Sequence, residues 1–414
     1  MEQTFMTKLE IKKVRHLKNI LIPLDNTKRK HLILTGKNGS GKTSVLESIV
    51  RYFSDSALVG DLFAKKMQLN QMIAMNSIES LREDEDSEEN RKEIATLEKG
   101  CMEWEKSIHH NDDITLEFTS VVRFKEKEQA GNFIFAYYKA EREFQAEEYH
   151  NIEKIQFQDK YSVSDKPGSK LTKYLVDLKA TQAFSKDDNK FRRISKWFER
   201  FERVLKTIFE DENLQLNFND ETFQFTIQET GKEPFDFNTM SSGYAAVFDI
   251  INDLIIRMEA NSGLRTEFDM EGIVLIDEIE THLHLELQKK ILPILTDLFP
   301  NIQFIITTHS PFILSSLDNA VIYDLENKTL VKNGLRNLPY EGIVEGYFKA
   351  DTLSEELRKK FDRYKVLVSK DELSNEDYEE IDKLEFYLDE IPDYLAKELT
   401  AEYSRLKLEF LKRG

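Results

Sequence analysis

The stretch Gly36-Lys37-Asn38-Gly39-Ser40-Gly41-Lys42-Thr43 decides how the rest of the chain is interpreted. The apolar run Leu32–Leu34 precedes it, and Ser44–Phe53 continues it with apolar residues at helical spacing. Strand, glycine-rich loop and helix is the context that a phosphate-binding loop (P-loop) requires. Glycines let backbone N–H groups wrap a phosphate at a helix N-terminus, where the helix dipole favours anions. A glycine-rich turn without this role is the alternative, and the flanking elements count against it.

Two side chains of this loop have predicted roles in binding ATP and Mg²⁺. Lys42 should reach the β- and γ-phosphates, and the hydroxyl of Thr43 should ligate Mg²⁺. We therefore predict a nucleotide site whose residues in this segment are Gly36, Asn38, Gly39, Ser40, Gly41, Lys42, Thr43 and Ser44.

A pair of adjacent acids ends a second apolar run. Ile273–Ile276 precedes Asp277 and Glu278, and buried parallel strands present functional groups at their carboxyl ends. Such a pair is weak evidence alone, but after a P-loop it indicates nucleotide hydrolysis. We predict that Asp277 binds Mg²⁺ together with Thr43, and that Glu278 orients and deprotonates the attacking water.

A histidine follows a third apolar run. His309 lies in Thr307-Thr308-His309-Ser310-Pro311, directly after Phe304–Ile306. An imidazole there can bond the γ-phosphate and hold the water in line. An isolated histidine more often has a structural role, but the position after a second buried strand favours function. The predicted catalytic residues are therefore Lys42, Asp277, Glu278 and His309.

A serine-glycine segment before a helix determines the class of ATPase. Met240-Ser241-Ser242-Gly243-Tyr244 resembles the signature of ABC enzymes, which usually reads Leu-Ser-Gly-Gly-Gln. Ser241, Ser242 and Gly243 at a helix N-terminus would form a second anion site. In ABC enzymes that site faces the γ-phosphate bound by the opposite subunit, so ATP joins two heads. Read alone, the segment is only a helix cap. Met240 and Tyr244 differ from the usual signature on either side of the serines, and this difference bears on the predicted contact between Ser241 and the opposite subunit.

Together these motifs predict an α/β fold. We expect an ABC-type ATPase head with a mixed sheet flanked by helices, a short helical-hairpin insertion and a C-terminal helical domain. The predicted boundaries are 1–61 and 113–345 for the head, 62–112 for the hairpin and 346–414 for the C-terminal region. Within the head, the patterns predict strands at Ile114–Phe124 and Asn132–Tyr138 and a helix at Leu285–Leu298.

Composition limits the classes of partner. The 58 basic and 76 acidic residues give a net charge of −18, so the overall field of the chain repels phosphate backbones. A single cysteine, Cys101, excludes a disulfide framework and a cysteine-based metal cluster. The sequence shows neither a secretory signal nor an apolar run of the roughly 20 residues that a membrane helix needs. We expect a soluble, cytoplasmic protein without a membrane partner.

The residue sequences of two motifs resemble one branch of these ATPases. Asn38 within the P-loop and Asp277-Glu278-Ile279-Glu280-Thr281-His282-Leu283-His284 look like the RecF/OLD-type family, as does the ending Thr-Thr-His-Ser-Pro. Ile279 stands where that family usually has proline. The resemblance covers roughly 1–55 and 115–345. With its short insert and C-terminal helices, the chain is similar to the standalone ATPases of the Septu, retron and PARIS anti-phage defence systems, each paired with a separate nuclease.

The resemblance implies a homo-oligomer of at least two heads and a separate effector nuclease, with DNA or a phage protein as the trigger. The C-terminal residues Phe386, Tyr387 and Tyr394 would dock that partner, or merely pack on the head. A RecF-like DNA-binding ATPase of recombination and repair is the alternative function, and a transporter motor fits the motifs less well. Arg142, after a predicted strand, would approach a phosphate or the interface, or form a surface ion pair, and Gln145 is the only suggestion for a Mg²⁺-ligating glutamine.

Overall fold

The computed structural model divides the chain into two compact units, Met1–Asn337 and Leu338–Gly414. It describes residues 3–54, 113–142, 146, 153–158, 161–260, 268–336, 342–343, 355–370, 372–389 and 397–412. The predicted hairpin at 62–112, Gln145 and Tyr394 lie outside the described residues.

The first unit contains both strands and helices. The strands are β1 (Met6–Val14), β2 (Leu17–Pro23), β3 (His31–Thr35), β4 (Ile114–Phe118), β5 (Phe133–Tyr138), β6 (Gln215–Asn219), β7 (Gln224–Gln228), β8 (Glu271–Ile276), β9 (Ile302–Thr307), β10 (Ala320–Asp324) and β11 (Thr329–Val331). The helices are α1 (residues 42–54), α2 (Val121–Gln129), α3 (Leu171–Phe184), α4 (Asp188–Phe209), α5 (Ser242–Ala260), α6 (Leu285–Leu298) and the short α7 (Pro311–Leu314).

The main sheet has six strands within the described residues, in the order β11-β10-β3-β9-β8-β5. β3 pairs in parallel with β9 and β10, and β8 pairs in parallel with β9 and β5, whereas β11 is antiparallel to β10. The predicted α/β class with a mixed sheet flanked by helices is therefore confirmed. Because β3, β8 and β9 are parallel neighbours, the segments that follow them meet at one edge of the sheet.

A second, antiparallel sheet of β2, β1 and β4 shares a core with the main sheet. Here the predicted strand Ile114–Phe124 is wrong after Phe118. Ser120 adopts an extended backbone and its hydroxyl accepts the N–H of Arg123 at 3.3 Å, so α2 begins at Val121. The serine cap favours a helix at this point. Phe124 then packs into the core, stacked on Phe118 at 4.7 Å.

Helix α5 lies in the interior, since its buried residues run from Ala246 to Glu259 on every side. The buried side chains of Asp253 and Arg257 on this helix are paired, whereas the amide of Asn252 is buried without a hydrogen-bond partner among the described residues. The guanidinium of Arg257 donates from Nε to Asp253 at 2.6 Å, and the hydroxyl of Tyr138 on β5 donates to the same carboxylate at 2.6 Å. These contacts tie the helix that begins at the serine-glycine segment to the edge of the main sheet.

The second unit is helical where it is described. Its helices are α8 (Glu355–Val368), α9 (Asn375–Asp389) and α10 (Lys397–Leu411), and Tyr364, Ile381 and Tyr403 lie in their common core. Of the predicted docking residues, Phe386 is 70% exposed, whereas Tyr387 is partly covered by the ammonium of Lys360, 3.4 Å from its ring centre. Among the described helices of both units, none has the length and apolarity needed to cross a bilayer.

Candidate nucleotide-binding site

The loop between β3 and α1 has a backbone that only glycines readily adopt. Gly36, Gly39 and Gly41 have φ values of 133°, 82° and 99°, in the region that disfavours residues with a Cβ. A Cβ on Gly41 would also lie 2.9 Å from Cδ1 of Leu17, whereas one on Gly39 would meet nothing within 4 Å. The loop therefore turns its backbone tightly against the β1–β2 connection, with open space beside Gly39.

The loop encloses the side chain of Lys42. Its ammonium is buried and donates to the carbonyl oxygens of Gly36 at 2.9 Å and Lys37 at 3.2 Å. Burial lowers the pKa of Lys42, and nearby carboxylates, with Glu278 first, act in the opposite direction. The cation thus sits inside the loop whose backbone would surround a phosphate.

The carboxylate of Asp277 joins three elements of the fold. The hydroxyl of Thr43, at the start of α1, donates to Oδ2 at 2.8 Å, and the hydroxyl of Thr307, at the end of β9, donates to Oδ1 at 2.5 Å. The two residues predicted to ligate Mg²⁺ are therefore in direct contact. A hydroxyl and a carboxylate are oxygen ligands of the kind that Mg²⁺ prefers, so these residues fit the ion.

Glu278 has an unusual backbone for a residue with a side chain. Its φ is 43°, in the left-handed region that non-glycine residues rarely occupy. Its N–H donates to the hydroxyl of Thr307 at 2.7 Å, and its side chain is partly exposed. The turn thus places Glu278 directly after Asp277 and accessible to a water molecule.

His309 lies beside the same acids. Its backbone N–H donates to Oε1 of Glu280 at 2.5 Å. Its Nε2 is buried and has no hydrogen-bond partner among the described residues. Because buried polar atoms are normally hydrogen-bonded, this nitrogen is a candidate to bind a ligand. Burial, followed by the charge of Lys42, lowers the pKa of His309. The imidazole is therefore neutral near pH 7 and available to a ligand.

Arg142 does not form the predicted surface ion pair. It is 3% exposed, so it is no surface ion pair, and its donors face the backbone that follows β8. NH1 donates to the carbonyl of Asp277 at 2.8 Å, and NH2 donates to those of Glu278 at 3.0 Å and Ile279 at 3.2 Å. Arg142 therefore binds the backbone segment that carries Asp277 and Glu278, the two predicted catalytic acids.

The serine-glycine segment lies apart from these contacts. Ser241 and Ser242 are exposed at the start of α5, and no hydrogen bond within the described residues joins them to the P-loop. Gly243 is buried, and a Cβ there would lie 2.9 Å from the carbonyl oxygen of His282. The structure thus brings Lys42, Thr43, Asp277, Glu278 and His309 together and leaves the two serines facing solvent.

Sequence reasoning missed Thr307 and Glu280 as functional residues, and it did not predict the contacts of Arg142 with the backbone after β8. Thr307 orients Asp277, Glu280 holds the backbone of His309, and Arg142 binds the carbonyls after β8. Sequence signals existed for two of them, because Thr307 ends the apolar run before His309 and Glu280 is the third acid of its motif. For Arg142, only the fold shows which carbonyls it reaches.

Residues 32–315 match the family described as "AAA domain, putative AbiEii toxin, Type IV TA system". The chain belongs to this AAA-domain family. It is 26% identical over 398 residues to the Septu protein PtuA of Bacillus mycoides (strain KBAB4), a match that covers 93% of this chain and 50% of PtuA. It is 35% identical over 143 residues to the Retron Ec83 probable ATPase of Escherichia coli, covering 33% of this chain and 26% of that protein.

The chain thus spans at most half the length of these curated relatives. Among solved structures, an SMC head bound to the C-winged helix domain of ScpA is similar over 80% of this chain and 99% of that chain, with a TM-score of 0.39 and 13% identity.

Proposed function

We propose that this chain is an ATPase that pairs heads on ATP and regulates a separate effector nuclease in an anti-phage defence system. The observation that carries the ATPase assignment is the contact between Thr43 and Asp277. It joins the P-loop to the acid after β8 at the edge of the sheet where Glu278 and His309 also lie. Family membership supports the same assignment.

The side chains of the site have distinct roles in the proposed hydrolysis. Lys42 exchanges its loop carbonyls for phosphate oxygens, and Thr43 and Asp277 hold Mg²⁺, which neutralises charge on the phosphates when bound. Glu278 takes a proton from water, whose oxygen bonds to the γ-phosphorus while the bond to the β-phosphate oxygen breaks, leaving ADP and phosphate. Burial lowers the pKa of His309 and favours its neutral form, which donates to a γ-phosphate oxygen in the tautomer that carries the proton on Nε2.

Pairing of heads completes the proposed site. The exposure of Ser241 and Ser242 supports this step, because their hydroxyls and the N-terminus of α5 are free to face a phosphate on a second copy. ATP then acts as a shared ligand between two heads. We propose an oligomer of at least two heads on this basis.

The defence role rests on the named relatives. The Septu protein PtuA matches over 93% of this chain, and the retron relative is itself named a probable ATPase. We place the effector on the second unit, where Phe386 of α9 is 70% exposed, since aromatic side chains commonly anchor protein interfaces. The chain spans half of PtuA, so the defence role is proposed from similarity over that half.

Hydrolysis is tested with the purified chain and MgATP. Glu278→Gln should keep nucleotide affinity and lower turnover by about 10²- to 10⁴-fold, the usual contribution of a general base. Glu286→Gln on α6 is the matched control, because Glu286 is exposed and pairs only with Lys289 in the described contacts. Turnover of Glu278→Gln close to wild type would remove Glu278 as the base. A wild-type chain that hydrolyses no ATP would overturn the ATPase assignment.

The effector is tested by purifying the tagged chain from its native gene cluster with and without ATP, followed by mass spectrometry and sizing. A nuclease that co-purifies stoichiometrically supports the defence role, and Phe386→Glu should release it. Phe184→Glu is the control, because Phe184 is 80% exposed in the first unit. A lone dimer that binds duplex DNA only with ATP would instead favour the DNA-repair function.

A further inference from the structure

A buried guanidinium supports the chain segment that carries both catalytic acids. Arg142 lies four residues after the end of β5 and is 3% exposed. Its two terminal nitrogens donate to the carbonyls of Asp277, Glu278 and Ile279, at 2.8, 3.0 and 3.2 Å. NH1 also donates to the carbonyl of Lys139 at 3.0 Å, which closes the turn after β5. One side chain therefore spans the gap between the segments that follow β5 and β8.

The chemistry of this contact requires arginine. A guanidinium is a rigid planar fork with donors on separate nitrogens, so it can bind several consecutive carbonyls at once, whereas an ammonium is a point charge. Burial lowers the pKa of Arg142, and the carboxylates of Asp249, Glu280 and Asp277 act in the opposite direction. Its partners by hydrogen bond are nevertheless backbone carbonyls. This arrangement holds a backbone path in place in addition to neutralising acids.

That path includes the strained turn at Glu278. Its φ of 43° costs conformational free energy and persists only where the surroundings determine it. Thr307 restrains the turn from β9, because its hydroxyl accepts the N–H of Glu278 at 2.7 Å and its carbonyl accepts the N–H of Ile279 at 3.2 Å. Arg142 restrains the same residues from the β5 side through their carbonyls. The backbone of Glu278 is thus held on both its donor and its acceptor side.

We propose that Arg142 is a positioning residue for ATP hydrolysis, which fixes the turn that aims Glu278 at the attacking water. The inference rests on the proposed ATPase function and assigns Arg142 no contact with nucleotide. A displacement of the base by about 1 Å costs on the order of 100-fold in rate. Loss of the hydrogen bonds from Arg142 to these carbonyls should therefore lower kcat. Nucleotide binding depends on the P-loop and should stay unchanged.

The test is a double-mutant cycle that combines Arg142→Lys with Glu278→Gln. In the wild-type background, Arg142→Lys should lower kcat on the order of 100-fold and change ATP affinity by less than about threefold. In the Glu278→Gln background it should change the residual single-turnover rate by less than about twofold, because the group it positions is already gone. Arg142→Gln is the second variant, and melting temperatures show whether each one folds.

Arg257→Lys is the matched control. Arg257 is 4% exposed and also donates to backbone carbonyls, those of Ser162 and Asp165, but it does not bind the turn after β8. It should keep kcat within about threefold of wild type, because its hydrogen bonds do not include the turn that carries Glu278. Equal losses from Arg142→Lys with and without Glu278, or a kcat unchanged by it, would overturn the inference. A wild-type chain without hydrolysis would overturn the proposed function first, and the inference with it.

Discussion

The hydroxyl of Thr43 donates to the carboxylate of Asp277 at 2.8 Å, although the residues are 234 positions apart in the chain. The contact exists because β3 and β8 are both parallel to β9, which lies between them, so their following segments meet at one edge. Thr307 at the end of β9 binds the other carboxylate oxygen at 2.5 Å. The first residue after the P-loop lysine and the acid of a distant strand thus form one oxygen-rich site.

Thr43→Val should weaken the effect of Mg²⁺ on nucleotide affinity. Valine keeps the shape of threonine and removes one of the two side-chain ligands proposed for the ion, so Mg²⁺ should strengthen ATP binding less than it does in the wild type. In the wild type, Mg²⁺ should strengthen binding. Isothermal titration calorimetry measures both conditions.

Thr35→Val is the matched control for that experiment. Thr35 ends β3, and its hydroxyl oxygen is buried without a hydrogen-bond partner among the described residues. The substitution should therefore keep the response to Mg²⁺ intact and leave stability unchanged or slightly improved. A Thr43→Val chain that still responds to Mg²⁺ as the wild type does would argue against Thr43 as a ligand.

Lys42→Ala should weaken ATP binding about 10- to 100-fold, because a charge-assisted bond to phosphate contributes about 1.5–3 kcal/mol. Titration with a fluorescent ATP analogue measures the loss. Lys179→Ala on α3 is the control, since Lys179 also has a pKa lowered by burial, but it lies over the ring of Phe198. Undiminished affinity in Lys42→Ala would refute the P-loop assignment.

Contiguous patterns predicted much of the fold. Helix α6 spans the predicted residues Leu285–Leu298, where His284 caps the first turn by accepting the N–H of Leu287. The predicted strand was wrong after Phe118, because Ser120 caps a helix there. At α6 the cap and the periodicity agree, and the predicted bounds match the helix.

The candidate site was predictable in part, but the residues that position it, or complete it from a second copy, were not. The P-loop, the acid pair and His309 can each be recognised from a few neighbouring residues. The parallel strands that precede them explain why they lie close together. Their chemical roles stay predictions. Arg142 binds a carbonyl 135 positions away, and Ser241 would act on another copy of the chain. No periodicity encodes such distances, since they depend on strand order and on assembly.

Ser241→Arg should prevent ATP-dependent pairing without preventing ATP binding. Ser241 is exposed at the start of α5, where a long cation would fill the space that a second head must occupy. In a Glu278→Gln background, which preserves the ATP state, light scattering should show a dimer that Ser241→Arg abolishes. Ser369→Arg, at an exposed serine of the second unit, should dimerise normally. Dimers of undiminished stability in Ser241→Arg would exclude this surface from the interface.

His31 should make the first unit sensitive to acid. It is buried on β3, its Nδ1 accepts the N–H of Phe304 at 3.1 Å, and burial, followed by the charge of Arg29, lowers its pKa to about 3. At a pH below about 6.5, the pKa of histidine in an unfolded chain, His31 binds a proton in the unfolded chain but not in the folded chain. The free energy of unfolding should therefore fall as pH falls from about 6.5 to 3, by about 1.4 kcal/mol per pH unit.

His31→Asn isolates this contribution, because the amide oxygen can replace Nδ1 as acceptor but does not titrate. Urea unfolding at pH 7 and pH 5 should show that the wild type loses about 2 kcal/mol more than His31→Asn between the two conditions. The carboxylates titrate alike in both chains, so they cancel in the comparison. His16→Asn, at an exposed position between β1 and β2, should follow the wild type. Equal losses in the wild type and His31→Asn would mean that His31 is protonated in the folded chain as readily as in the unfolded one.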